Sequence, residues 1–137
     1  MASEMRQDTR IGELFTPLGK DVLVLSRFEG TELLSGCFEY RIDAFSEQSS
    51  IDFDALVGKH CSLKMLTIHD EIRWFDGILT EIQSVGIRDH EFAYRIVLRP
   101  WLWLLSFRKN SLIFHEKTAP EIISEVFGQH GGLAGFN

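Results

Sequence analysis

Little in this sequence marks it for chemistry of its own. Cysteine occurs twice, at Cys37 and Cys61, with no CxxC and no Cys/His spacing of a zinc site. Both lie in strand-like runs, where a free, buried thiol is a common residue, so two free structural thiols are expected, with a disulfide brought about by strand pairing as the alternative. The five histidines (His60, His69, His90, His115 and His130) are scattered and form neither HExxH nor HxH. There is no GxSxG, no phosphate-binding loop and no GxGxxG that opens a helix. Nothing calls for a cofactor or a metal, and no catalytic residue can be named. No apolar run approaches the ~18 residues of a membrane span, and MASEMRQDTR has no apolar stretch for a signal peptide. Synthesis in the cytoplasm, with any export by a route without a cleaved leader, is the expectation. Lys and Arg form no run, and the formal net charge is -6. A general nucleic-acid binder needs a basic face, so that class is disfavoured.

What is present is a strand-rich chain punctuated by three prolines. Its 137 residues suit one domain, or one domain plus the start of another. Residues 1–9 are polar and expected to be loose. Ile11 to Thr16 is a short strand, followed by a turn at Thr16-Pro17-Leu18-Gly19, where Pro17 fixes one backbone angle and Gly19 can supply positive φ. Val22 to Phe28 is a buried strand, interrupted by Glu29-Gly30-Thr31. From Phe38 to Phe45 the alternation is clean: Phe38, Tyr40, Ile42 and Ala44 on one face, Glu39, Arg41 and Asp43 on the other. Ser46 to Ser50 is a polar loop. Asp52 and Gly58 bracket a helical turn or two.

His60 to Ile68 and Ile72 to Val85 form a hairpin with its tip at His69-Asp70-Glu71. Phe75 and Gly77 lie in the second arm, where the glycine is expected to mark a bulge or bend. A turn at Gly86 to Asp89 leads into a strand with Phe92, Tyr94, Ile96 and Leu98 on one face and Arg95 and Arg99 on the other. Pro100 stops regular pairing. Thr118-Ala119-Pro120-Glu121 opens a helix with a capping box. After it HGGLAGFN is too glycine-rich for a firm element, and the chain reads as a piece of something longer. The fold class is mainly β: a small antiparallel β-barrel or rolled sheet of about six strands, with a short helical insert and a C-terminal helix.

The segment YRIVLRPWLWLL, Tyr94 to Leu105, decides among functions. It is too short and too charged to span a membrane. Trp101 and Trp103 could line a groove for a carbohydrate or another small ligand. The alternative is a strand that ends at Pro100, followed by an aromatic cluster that plugs the open end of a barrel or meets a neighbour.

This segment resembles the N-terminal hub region of VgrG proteins, the spikes of type VI secretion systems, which are related to the baseplate hubs of tailed phages. The motif is Tyr94, Arg95, Leu98, Arg99, Pro100, Trp101, Leu102, Trp103, Leu104 and Leu105. Supporting matches are Thr16-Pro17-Leu18-Gly19, Phe38-Glu39-Tyr40, Leu56-Val57-Gly58-Lys59 and Phe75-Asp76-Gly77-Ile78. Ile113-Phe114 leading to Thr118-Ala119-Pro120-Glu121 completes the set. Asp76 stands where the family pattern has histidine. The resemblance implies a loose N-terminus (1–9), a first hub barrel (10–115), and a helix with the start of the next segment (116–137). It also implies a structural, non-enzymatic module of a homotrimeric hub seated on an Hcp-like tube among baseplate components. Such a module would be exported with the injection apparatus, without stable membrane insertion. Structural or interface roles fall to Pro17, Gly19, Phe75, Gly77, Arg95, Arg99, Pro100, Trp101 and Trp103. A phage or other contractile tail is the neighbouring reading, and a carbohydrate-binding barrel is the alternative from another class.

Overall fold

The computed structural model describes residues 6–131, and they divide into two compact units that meet at the Pro100/Trp101 step. The sequence reading placed that boundary after residue 115. The glycine-rich end from 132 onward lies outside the described residues, as do residues 1–5.

The first unit is one six-stranded, wholly antiparallel sheet. Its strands are β1 (Gly12–Phe15), β2 (Val24–Thr31), β3 (Glu39–Ser46), β4 (His60–Leu66), β5 (Ile72–Arg88) and β6 (Glu91–Arg99). The spatial order is β1-β4-β5-β6-β3-β2. Alternation sets the faces, as the sequence implies. Tyr40, Ile42 and Ala44 of β3 and Tyr94, Ile96 and Leu98 of β6 are buried in the core with Leu63 of β4 and Leu79 of β5. The Tyr94 hydroxyl donates to the Gln48 carbonyl at 3.1 Å and so pins the polar loop after β3 to the sheet.

The sheet rolls until its two edge strands face one another. No ladder joins β1 to β2; a side chain does. Gln7 is only 2% exposed. Its Oε1 accepts from the Leu14 amide of β1 at 2.7 Å and from the Leu25 amide of β2 at 3.2 Å, while its Nε2 donates to the Leu14 carbonyl at 3.0 Å. Two amide donors demand an oxygen and one carbonyl demands an N–H, so the network itself fixes which way the amide points. Arg10 adds a bond from Nη1 to the Leu25 carbonyl at 3.2 Å. Gln7, within the stretch expected to be loose, therefore closes the roll. Its own backbone is held by Asp21, whose Oδ1 accepts from the Gln7 amide at 3.1 Å.

Several local expectations need correction. β2 begins later and runs through Gly30, because Gly30 pairs with Tyr40 in register; a Cβ there would lie 3.1 Å from the rings of Phe28 and Tyr40. The insert before β4 is one turn, the shorter of the two lengths expected from Asp52 and Gly58. The Leu56 and Val57 amides both donate to the Phe53 carbonyl, Asp52 Oδ1 accepts from the Asp54 amide at 3.0 Å, and Gly58 ends it at φ +80°. One turn is too short to repay helix nucleation. β5 runs on to Arg88, and the following turn is at Asp89-His90, both at positive φ, the pattern of a two-residue hairpin. Cys37 lies exposed in the loop before β3, whereas Cys61 is buried with its thiol pushed up to about 12 by desolvation and then by Asp76.

The bend expected at Gly77 is also elsewhere. Pairing with β4 is regular through Cys61↔Gly77. The irregularities in β5 fall between Leu79 and Glu81 and between Ser84 and Gly86, both against β6. An extra residue at Thr80 shifts the alternation by one. Ile82 then packs on the core while Glu81 and Gln83 stay exposed.

The second unit holds α1 (Trp101–Leu104), a 3-10 turn (Leu105–Phe107) and α2 (Ala119–Gly128). The Glu121 carboxylate accepts from the Thr118 amide at 2.6 Å and from Thr118 Oγ1 at 2.9 Å. Those bonds hold its carboxyl below the usual range and carry the helix start that the sequence announces.

Candidate functional site

The residues singled out from sequence fall into four places. Pro17 and Gly19 make the turn between β1 and β2: the Gly19 amide donates to the Thr16 carbonyl at 3.2 Å, with Gly19 at φ +107°. Only a residue tolerant of the left-handed region fits there. Phe75 belongs to an aromatic group on the inner side of the sheet, 4.7 Å from Phe28 and 5.3 Å from Tyr40 between ring centroids, with the Arg73 guanidinium 4.7 Å above it. Tyr40 donates its hydroxyl to Glu32 at 2.6 Å; burial first, and then that carboxylate, push its pKa well up.

Arg99 clamps three strands. Nη2 meets Glu39 of β3 at 3.0 Å, and Nη1 meets Glu81 and Thr80 of β5 at 2.8 and 2.9 Å. Its side chain is 13% exposed. Burial alone would favour loss of its proton, but Glu81 and Glu39 outweigh that and raise its pKa. The bulge residue Thr80 is thus both the phase shift of β5 and a ligand of the clamp. Glu39 in turn is held below the ordinary carboxylate range, by Arg41 first and Arg99 second. Arg95, on the same outer face, bonds Asp43 through Nε at 3.1 Å and stays exposed.

Pro100 ends β6 and has no amide to extend a ladder. Trp101 and Trp103 sit in the second unit, where they form helix rather than continue the strand. The Trp101 ring meets Phe127 of α2 edge-on at 4.7 Å, and Trp103 meets Phe107 at 4.8 Å. The two tryptophans therefore have different aromatic partners.

At the position of the family histidine, Asp76 accepts from Ser62 Oγ at 2.7 Å and faces His60 Nδ1 at 3.3 Å. These three residue types make a nucleophile only when histidine stands between serine and aspartate. Here aspartate is in the middle, so the group is a cross-strand tie between β4 and β5. Among the described residues no three His, Cys, Asp or Glu are placed to hold a metal ion, and no helix is long and apolar enough to cross a membrane. Sequence reasoning missed Gln7, which carries the closure of the sheet; a polar residue in a polar leader gives no periodic signal.

The sequence matches the phage tail baseplate hub (GPD) family over residues 31–137. It is 40% identical over 129 residues to the type VI secretion system spike protein VgrG1b of Pseudomonas aeruginosa, covering 93% of this chain and 17% of that protein. It is 37% identical to VgrG1a of the same organism, over 91% of this chain and 19% of the relative. The actin cross-linking toxin VgrG1 of Vibrio cholerae is 30% identical over 83% of this chain, which spans 11% of the toxin. The chain thus spans under a fifth of the length of these relatives. In fold it is similar to the E. coli c3393 protein, described as a component of the type VI secretion system with structural similarity to the T4 bacteriophage tail proteins gp27 and gp5. The TM-score is 0.73, with 21% identity, over 90% of this chain and 33% of that one. The chain belongs to the phage tail baseplate hub family.

Proposed function

We propose that this chain is the N-terminal barrel module of a type VI secretion spike, a structural part of the hub rather than an enzyme. The observation that carries the reading is the identity to spike proteins across 93% of the chain, which takes in both compact units. In the complete hub three copies form a ring that sits on an Hcp-like tube among other baseplate components. The module is made in the cytoplasm and leaves the cell as part of the injection apparatus; it binds no nucleic acid and does not insert stably in a membrane. The architecture supports a scaffold role. The sheet is closed on itself at Gln7, clamped at Arg99, and turned outward with charged side chains. A hub of a phage or other contractile tail is the second reading, and the family match itself favours it.

The reading is tested by light scattering on the full-length protein after size exclusion. Three chains per particle are expected. A stable single-chain mass would overturn the ring assembly.

A further inference from the structure

β5 outruns its neighbour on one side. Pairing with β4 ends at His60↔Ile78. The Leu79 amide then donates to the Lys59 carbonyl at 2.9 Å, and the Leu79 carbonyl accepts from the Gly58 amide at 2.8 Å. From Ile82 to Arg88 the strand is paired with β6 alone, and among the described residues no backbone bond reaches it from the other side. Gln83 to Arg88 are all exposed, Val85 at 44% and Ile87 at 66%. An open edge is a template for another strand, and natural sheets blunt it with charge, proline or a covering segment. Ile82-Gln83-Ser84-Val85-Gly86-Ile87 has no charge and no proline. Its one irregularity, the bulge at Val85, resets the alternation. Ile82 and Ile87 both stand opposite core-side residues of β6, Ile96 and Phe92, while Glu81 and Arg88 both lie on the outer face.

We propose that this edge of β5 pairs antiparallel with the same edge of a second copy of the chain, about a two-fold axis between Ser84 and Val85. A two-fold contact requires a segment complementary to itself. This one is. In that register Glu81 faces the partner's Arg88, Ile82 the partner's Ile87, and Gln83 the partner's Gly86, and the bulge puts the members of each pair on one face. The aliphatic pairs cover two exposed isoleucines, the long Gln83 side chain meets a glycine, and no like charges stand opposite. No surplus of charge is needed: Glu81 keeps its bond to Arg99, and the register only sets an acidic rather than a basic group across from Arg88. The bonds that matter are those of the two backbones, each edge satisfying the other. A foreign strand would meet the backbone as well, but the self-matching side chains favour the second copy. A two-fold contact has no place in a ring of three. The pairing therefore belongs to chains outside the ring, where it covers an adhesive edge, and it does not rest on the reading above.

Light scattering after size exclusion on this 137-residue chain should give two chains per particle, falling to one on dilution. A single-chain mass at every concentration overturns the pairing, and three chains per particle overturn its two-fold symmetry. The edge is located by mixing isotope-labelled with unlabelled chains and reading proton contacts between them. Ile82 of one copy against the partner's Ile87 is expected; a two-chain mass without that contact places the interface elsewhere and overturns the edge. Ile87→Lys, at an exposed position, should keep the folded spectrum and give single chains. Ile68→Lys, at a 94% exposed position in the turn before β5, should leave two. Equal loss in both variants traces the association to loose apolar contact and overturns the proposal. Arg88→Glu sets like charges across the axis twice and should weaken pairing about tenfold; an Arg88→Glu chain that pairs as tightly as the original overturns the register. The ring is read on the full-length protein and this pairing on the present chain, so either can fail alone.

Discussion

Gln7→Met lowers the stability of the first unit by about 3–5 kcal/mol, the sum expected when three buried backbone groups lose their partners at roughly 1–3 kcal/mol each. Methionine keeps the length and much of the volume of glutamine, so packing changes little. What disappears is the acceptor for the Leu14 and Leu25 amides and the donor to the Leu14 carbonyl. Those three groups belong to the two edges of the sheet, and an edge strand without a partner leaves its backbone to water or to another chain. For a unit near a hundred residues each kcal/mol moves Tm by about 4–8 °C, so a fall well beyond about 10 °C is expected. Amide exchange at Leu14 and Leu25 should rise together, ahead of the β3–β6 ladder. A Gln7→Met chain that melts within about 2 °C of the original, a small fraction of that shift, would show that the seam holds without the side chain.

Gly77→Val is the second large effect, at about 3 kcal/mol, with Gly77→Ala near 1 kcal/mol, in the range of overpacked cores. The reason is space and not backbone freedom. A Cβ at Gly77 would stand 3.1 Å from Leu98 Cβ, 3.2 Å from the Arg99 carbonyl and 3.3 Å from the Phe38 ring. Two of those neighbours lie on β6, one of them main chain, so the strand itself would have to move. The gain in strand propensity on replacing glycine is at most about 1 kcal/mol and does not offset this. Shrinking Phe38 to leucine in the Gly77→Ala chain should recover part of the loss, because one of the three contacts is relieved; strict additivity of the two substitutions would place the clash wholly on β6.

Much of this fold is legible locally. The alternation of Phe38 to Phe45 and of Phe92 to Leu98 names the core faces of the two central strands, because a sheet with one buried face imposes a period of two. Thr118 and Glu121 announce a helix because their partners are three residues apart. The rest depends on distant partners. Gln7 meets Leu25, eighteen residues on, and nothing near Gln7 signals it. The phase shift at Thr80 shows only once Glu81 is seen to reach Arg99 across the sheet. Trp101 to Leu104 carry strand-favouring aromatics and still form helix, because Pro100 ends the ladder and Phe127 supplies a helical neighbour. Of the site residues, Arg95 and Arg99 share a face as the pattern requires. That one is a buried clamp and the other an open fork is decided by Glu39, Glu81 and the bulge, none of which is adjacent in sequence.

The most direct measurement of the central claim, that this module is an assembly part of a secretion hub, is made in the bacterium that produces it. With the protein as the only spike, the first unit is removed or opened by Gln7→Met, and Hcp-like tube protein is assayed in the growth medium. The account predicts that release of the tube protein stops while its level inside the cells is unchanged. Release at the original level would contradict it and leave the barrel without a role in the hub.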